Sequence, residues 1–182
     1  MKIEPIVINR IQTRHTSFQV DLHLENNITF LGGDSGTGRS TMFSFLKDLS
    51  VEDKRIKCFN YLDWNKSYKS SIKRSKGKLI IIDNVDILLD DAMRSYIALD
   101  GNNQYIIIGR NPTGLLLNID EVYELQNENV DGITLFTLKK IFNLVRKSIQ
   151  NKFFEKKHGY SSACAIRKIL CCLTFLGRYA II

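Results

Sequence analysis

The sequence predicts an α/β fold, a mainly parallel sheet flanked by helices, on three observations. Leu79–Ile82 and Tyr105–Ile108 are apolar throughout, the pattern of strands buried on both faces. Helical spacing alternates with these runs, at residues 39–49 and 85–99. Ser17–Leu24 alternates strictly, which adds a half-exposed antiparallel strand near the N-terminus. A β-hairpin and a basic helix complete the expected architecture on the C-terminal side.

Element by element, Ile6–Ile8 reads as a short strand. Phe18, Val20, Leu22 and Leu24 form the apolar side of the next one. Asn26 and Asn27 make a turn into a buried strand, Ile28–Leu31. Residues 32–38 are glycine-rich, and Met42, Phe43, Phe45, Leu46 and Leu49 give the following helix its apolar face. Lys57–Leu62 reads as a strand, and Asn65–Lys76 as either a helix or a loop. Val85–Leu99 follows the Leu79–Ile82 strand as one helix. Gly109–Pro112 stops the strand before it. Residues 121–125 and 133–138 alternate around Asp131-Gly132, a hairpin signal. Leu138–Phe154 carries an amphipathic helical stripe, whereas residues 159–182 have no clear period.

The chain has 182 residues, 44% of them hydrophobic, enough for one domain that needs neither disulfides nor a structural metal. No run of 18 apolar residues is present, so no spanning helix is expected. Met1–Pro5 has no signal-peptide core, and cytoplasmic residence is the expectation. Cys58, Cys164, Cys171 and Cys172 show no zinc-binding spacing with His15, His23 and His158, so they read as reduced, buried thiols.

The net charge of +7 is unevenly distributed. Residues 1–138 hold 16 Lys and Arg against 18 acids; residues 139–182 hold 10 against one, Glu155. Two parts are expected: a domain over 1–138, and a basic segment over 139–182 that packs on it or is partly mobile. Such a segment suits an anionic partner, nucleic acid or a membrane surface, or a protein partner, although a solvated helix face is the plainer account.

Gly33-Asp34-Ser35-Gly36-Thr37-Gly38-Arg39-Ser40 fits G-x-x-x-x-G-[K/R]-[S/T] between a strand and a helix. Glycines there let successive backbone N–H groups turn toward phosphate oxygens, and the helix start adds its positive end. Arg39 would neutralise β- and γ-oxygens, Ser40 would ligate a magnesium ion, and Thr41 could reach an α-phosphate.

With those residues in place, the chain resembles the P-loop nucleoside triphosphatases, in particular the additional-strand type that includes AAA+ ATPases. The resemblance spans about residues 17–115. Gly33–Ser40 is similar to the Walker A motif, and Ile80–Asp83 to the Walker B strand, whose Asp would hold the metal's water. Ile106–Ile108 with Arg110 and Asn111 looks like the sensor-1 strand and the polar residues past it. The resemblance implies ATP (or GTP) with Mg2+, and a site that an oligomer or partner completes. Two residues depart from the pattern. Arg39 stands where the family has lysine, and its planar fork differs from a point ammonium. Asn84 stands where glutamate is common after the Walker B Asp; it cannot take a proton, although it or Asp86 could orient water. Both departures favour binding over rapid hydrolysis.

Three readings follow: a weak ATPase, a nucleotide-dependent switch without turnover, and a nucleic-acid-binding adaptor with a vestigial loop. A phosphotransfer enzyme uses a similar loop, but no arginine-rich lid is legible between 100 and 138. Lys66, Lys69, Lys73, Arg74, Lys76 and Lys78, with Tyr68, could follow a phosphate backbone, and a solvated face is the plainer account. Trp64 is expected to pack or to anchor a loop rather than stack on a base.

Overall fold

The computed structural model describes residues 5–33 and 36–141. The chain divides after Lys139, and the architecture below is that of the first part. Eight strands, β1 (Arg10–Arg14), β2 (Phe18–His23), β3 (Ile28–Gly32), β4 (Ile56–Phe59), β5 (Leu79–Ile82), β6 (Gln104–Ile108), β7 (Val122–Val130) and β8 (Ile133–Lys140), form one sheet. Their order is β1-β2-β8-β7-β3-β6-β5-β4. Four helices join them: α1 (Arg39–Glu52), α2 (Tyr68–Arg74), α3 (Val85–Leu88) and α4 (Asp91–Leu99).

This sheet corrects the expected architecture. It is mixed and curls into a half-barrel with few helices, instead of a mainly parallel sheet flanked by helices. The reason lies in the connections. Parallel neighbours need crossovers of a dozen residues or more, whereas β1 and β2 are joined by three residues and β7 and β8 by two. Those four strands therefore make hairpins, and the β7–β8 hairpin is set between β2 and β3 instead of being appended to the sheet. The apolar strands that suggested parallel pairing do pair so, β3 with β6 and β6 with β5, but they make up less than half the sheet.

Several boundaries also differ. Val7 and Ile8 join no ladder; their amides donate to the Gln104 side-chain oxygen, each at 2.9 Å. The first strand is instead Arg10–Arg14, whose mainly polar residues hide it from a hydrophobic reading. One helix over 85–99 becomes two because Asp90 caps α4, accepting the Met93 amide at 2.9 Å. Leu138–Lys140 continue β8, where the amphipathic stripe suggested a helix. The rest of that stripe, residues 142–154, and the segment 159–182 lie outside the described residues. Asp131 and Gly132 form the hairpin turn with φ of 52° and 79°, the left-handed pair that a two-residue hairpin requires.

One cluster forms the main core. Met42, Phe43 and Leu46 of α1 meet Leu31, Ile81, Ile106 and Ile108 of the sheet, with Val20, Leu22 and Phe136 from the curled side. Burying each such side chain contributes roughly 1.5–3 kcal/mol. Among the described residues, no helix is long and apolar enough to cross a membrane.

A candidate anion site at one edge of the sheet

Parallel pairing brings the ends of β3, β6 and β5 to the same edge, since Leu31 lies opposite Ile108 and Ile82 opposite Ile107. Three segments singled out by sequence leave from that edge: Gly33–Thr41, Asp83–Asp86 and Gly109–Asn111.

Gly33, Gly36 and Gly38 all have positive φ, at 122°, 86° and 85°. A Cβ on Gly38 would lie 2.6 Å from Phe136 Cε1, whereas among the described residues nothing comes within 4 Å of one on Gly33 or Gly36. Gly38 is the residue before α1, and its carbonyl accepts the Met42 amide at 2.9 Å. The chain thus reverses tightly into a 14-residue helix, and that helix's first amides are the kind of donor that suits an anion. Ser40 is exposed and Thr41 half-buried. Asp34 and Ser35 lie outside the described residues.

Arg39 Nη1 donates to the Gly109 carbonyl at 3.0 Å. Asp83 is buried, and one of its oxygens accepts the Asn84 amide at 2.9 Å. Burial pushes its carboxyl above the usual range, and the Asn84 amide and the Arg39 charge partly oppose that. Arg39 and Asp83 are therefore electrostatic neighbours. The Ser40 hydroxyl and the Asp83 carboxylate are hard oxygens, the ligand type that magnesium takes. Among the described residues, no cluster of three His, Cys, Asp or Glu could hold a metal ion.

Asn84 is in the left-handed region, with φ 54° and ψ 43°. Asn adopts that conformation more readily than Glu, which gives a backbone reason for the residue found here. Asp86 binds the neighbouring loop: its oxygens accept the Arg110 amide at 2.7 Å and the Asn111 amide at 2.9 Å. Asn111 Oδ1 accepts the Thr113 amide at 3.0 Å, and the Arg110 side chain is exposed.

Sequence reasoning missed the residues that hold these segments together. Arg94 is buried on α4 and donates to the carbonyls of Asn111 (2.7 Å), Thr113 (3.1 Å) and Val85 (3.2 Å). Its signal was an arginine inside the apolar stripe of Met93 and Ile97. Gly109 allows the close approach: a Cβ there would lie 2.3 Å from Val85 Cγ2. Asn127 of β7 donates to the Thr37 carbonyl at 3.3 Å, so the hairpin touches the glycine segment twice, through Asn127 and Phe136. Cys58 is half-buried, and burial pushes its thiol up to about 11, which makes it a poor nucleophile.

Two expectations outside the site change. Tyr68 is buried, its hydroxyl donating to the Leu88 carbonyl at 2.5 Å, so it cannot line a nucleic-acid surface. Trp64 is 55% exposed and not packed into the core. Compared with known proteins, the chain matches no protein-family model and no curated protein.

Proposed function

We propose that this chain binds ATP with Mg2+ through Gly33–Ser40 and hydrolyses it slowly or not at all. The observation that carries the reading is the convergence at one edge of a positive-φ glycine segment, the start of α1, Arg39 and Asp83. The chain also has a strand, β6, between the two strands that bear the motifs, which suits the resemblance to additional-strand ATPases. In this reading, backbone amides cradle the phosphates, Arg39 neutralises the β- and γ-oxygens, and Ser40 and Asp83 hold the metal and its water. Slow turnover follows from the polar groups near the γ-phosphate. Asn84 accepts no proton, and Asp86 uses its oxygens on backbone amides. The setting we infer is the cytosol, where thiols such as Cys58 stay reduced.

A second reading, a switch, is favoured by the hairpin's two contacts with the glycine segment. Ligand binding at the loop would bear on β7 and β8, and the chain leaving β8 is the basic segment 139–182.

Calorimetric titration with Mg-ATP, followed by phosphate release, tests both. Magnesium-dependent binding that Arg39→Ala weakens supports the site, and absence of turnover then favours the switch. Failure of the wild-type protein to bind any nucleoside triphosphate overturns both.

A further inference from the structure

Within residues 1–138 the cations are segregated. Residues 54–78 carry nine Lys and Arg and one acid, Asp63, while the rest of that span carries seven against seventeen acids. The structure gathers much of this charge on α2. Lys66 is paired with Asp63 at 2.8 Å and Lys69 with Asp90 at 2.5 Å. Lys73 and Arg74 are exposed on the last turn, with Lys76 beyond it, and none of the three pairs with a carboxylate among the described residues.

Two aromatic features bracket this charge. Before α2, Tyr61 and Trp64 are 49% and 55% exposed on the turn that follows β4. At the other end, Lys73 Nζ lies 5.5 Å from the centroid of the Tyr96 ring. There Lys73, Ser95, Tyr96, Leu99, Asp100 and Asn102 are among the residues that line a groove of about 420 Å³. The contacts of Lys69 with Asp90 and of Lys73 with Tyr96 set α2 and α4 side by side, running in the same direction. The path from one aromatic end to the other follows α2, which is about 10 Å long.

Exposed rings beside a cationic track suit single-stranded nucleic acid, because unpaired bases stack while the phosphates follow the charge; Tyr61 and Trp64 are exposed, whereas Tyr96 is half-buried beneath Lys73. On α2 itself the exposed side is polar, with Ser70 and Arg74 next to the lysines, although Leu62 and Leu99 are exposed on the neighbouring segments. We propose that the α2–α4 surface binds single-stranded nucleic acid, with Trp64 stacking on a base and Lys73, Arg74 and Lys76 holding phosphates. This site is independent of the glycine segment, and it places nucleic-acid binding in the folded domain as well as, or instead of, the basic segment after β8.

Trp64 is the only tryptophan, so its fluorescence reports the surface directly. The full chain, without nucleotide, is titrated with a short oligothymidylate. Saturable quenching is expected, with affinity falling as salt rises. Neutralising Lys73, Arg74 and Lys76 together should flatten the salt dependence by about 0.7 for each phosphate that is no longer neutralised. With a labelled oligonucleotide followed by anisotropy, Trp64→Ala should weaken binding roughly five- to 150-fold and Trp64→Phe should restore most of it. Arg39→Ala should leave this binding unchanged, which separates it from the ATP reading. Four results each overturn the proposal: no quenching by the oligonucleotide; equal affinity for inorganic polyphosphate or duplex DNA with no effect of Trp64→Ala; binding only to phosphatidylserine vesicles; and binding abolished on neutralising Lys156 and Lys157 but not on changing α2.

Discussion

Arg39 Nη1 donates a 3.0 Å hydrogen bond to the carbonyl oxygen of Gly109, tying the first residue of α1 to the chain that leaves β6. The guanidinium therefore has a structural bond and, in the proposed site, a ligand. Arg39→Ala removes both, and should cost about 0.5–1.5 kcal/mol of stability as well as nucleotide affinity. An ammonium at the same place keeps the charge, so Arg39→Lys should preserve or raise affinity for Mg-ATP. Calorimetry on the two variants checks this; a collapse of binding in Arg39→Lys at unchanged stability would show that the planar fork itself is required.

Gly36 and Gly38 share almost the same φ, 86° and 85°, but differ in what surrounds them. Among the described residues, a Cβ at Gly36 meets nothing within 4 Å, whereas one at Gly38 meets the Phe136 ring at 2.6 Å. Gly36→Ala should therefore show the cost of backbone strain alone, about 1–3 kcal/mol at most. Gly38→Ala should cost more in urea denaturation, and Phe136→Leu should recover part of the difference by making room. Equal losses at the two positions would mean that Phe136 does not press on the loop.

The legible parts of this fold were those where one chemical signal had a single reading. Leu79–Ile82 and Gln104–Ile108 are buried end to end, and their apolar runs announced it. The glycines of 33–38 signalled a tight reversal, and Asp131-Gly132 signalled the hairpin turn. The architecture was not legible, because pairing depends on connection length and on partners far along the chain. Nothing local in Phe18–His23 says that β8 will be its parallel neighbour. At the candidate site, sequence supplied the loop, Arg39 and Asp83 as isolated residues. It could not supply the clamp made by Arg94, Asp86 and Gly109, whose members meet only because α3 and α4 fold back beside the end of β6. A lone tryptophan usually gains from burial, and nothing local to Trp64 shows that β4, the strand before its turn, is the edge strand of the sheet.

Acid should act on the other end of β6. Asp100 accepts the Tyr105 hydroxyl at 2.6 Å and Asn103 Nδ2 at 2.7 Å, all three residues being buried. Burial alone would raise this carboxyl, but the hydrogen bonds from Tyr105, Asn103 and Asn102 outweigh it and hold the pKa below the ordinary value. A pKa lower in the folded than in the unfolded state stabilises the protein above the usual carboxylate range, near pH 4, and that contribution is lost as pH falls through the folded value. Tyr105→Phe should therefore cost about 1.5–3 kcal/mol at pH 7, typical of a hydrogen bond to a charged group. The cost should shrink in urea melts below about pH 3. The same loss at both pH values would show that the hydroxyl acts only through packing.

Asp83 should respond in the opposite sense. Burial raises its carboxyl against the opposing Asn84 amide and Arg39 charge, so without a ligand its negative charge weakens the fold at neutral pH. With a folded pKa above the unfolded one, its favourable contribution is complete below the unfolded value and is lost as pH rises through the folded value. Asp83→Asn removes the buried charge and should raise the melting temperature at pH 7, with the gain fading as pH falls through the raised folded value and gone below about 4. If the carboxylate is retained to hold magnesium, the same variant should lose Mg-ATP affinity while nucleotide binding in EDTA changes little. Thermal melts at pH 7 and pH 3.5, paired with titrations with and without magnesium, read both effects. A variant that is more stable and also binds Mg-ATP as the parent does would remove Asp83 from the metal's coordination and leave its burial without a functional reason.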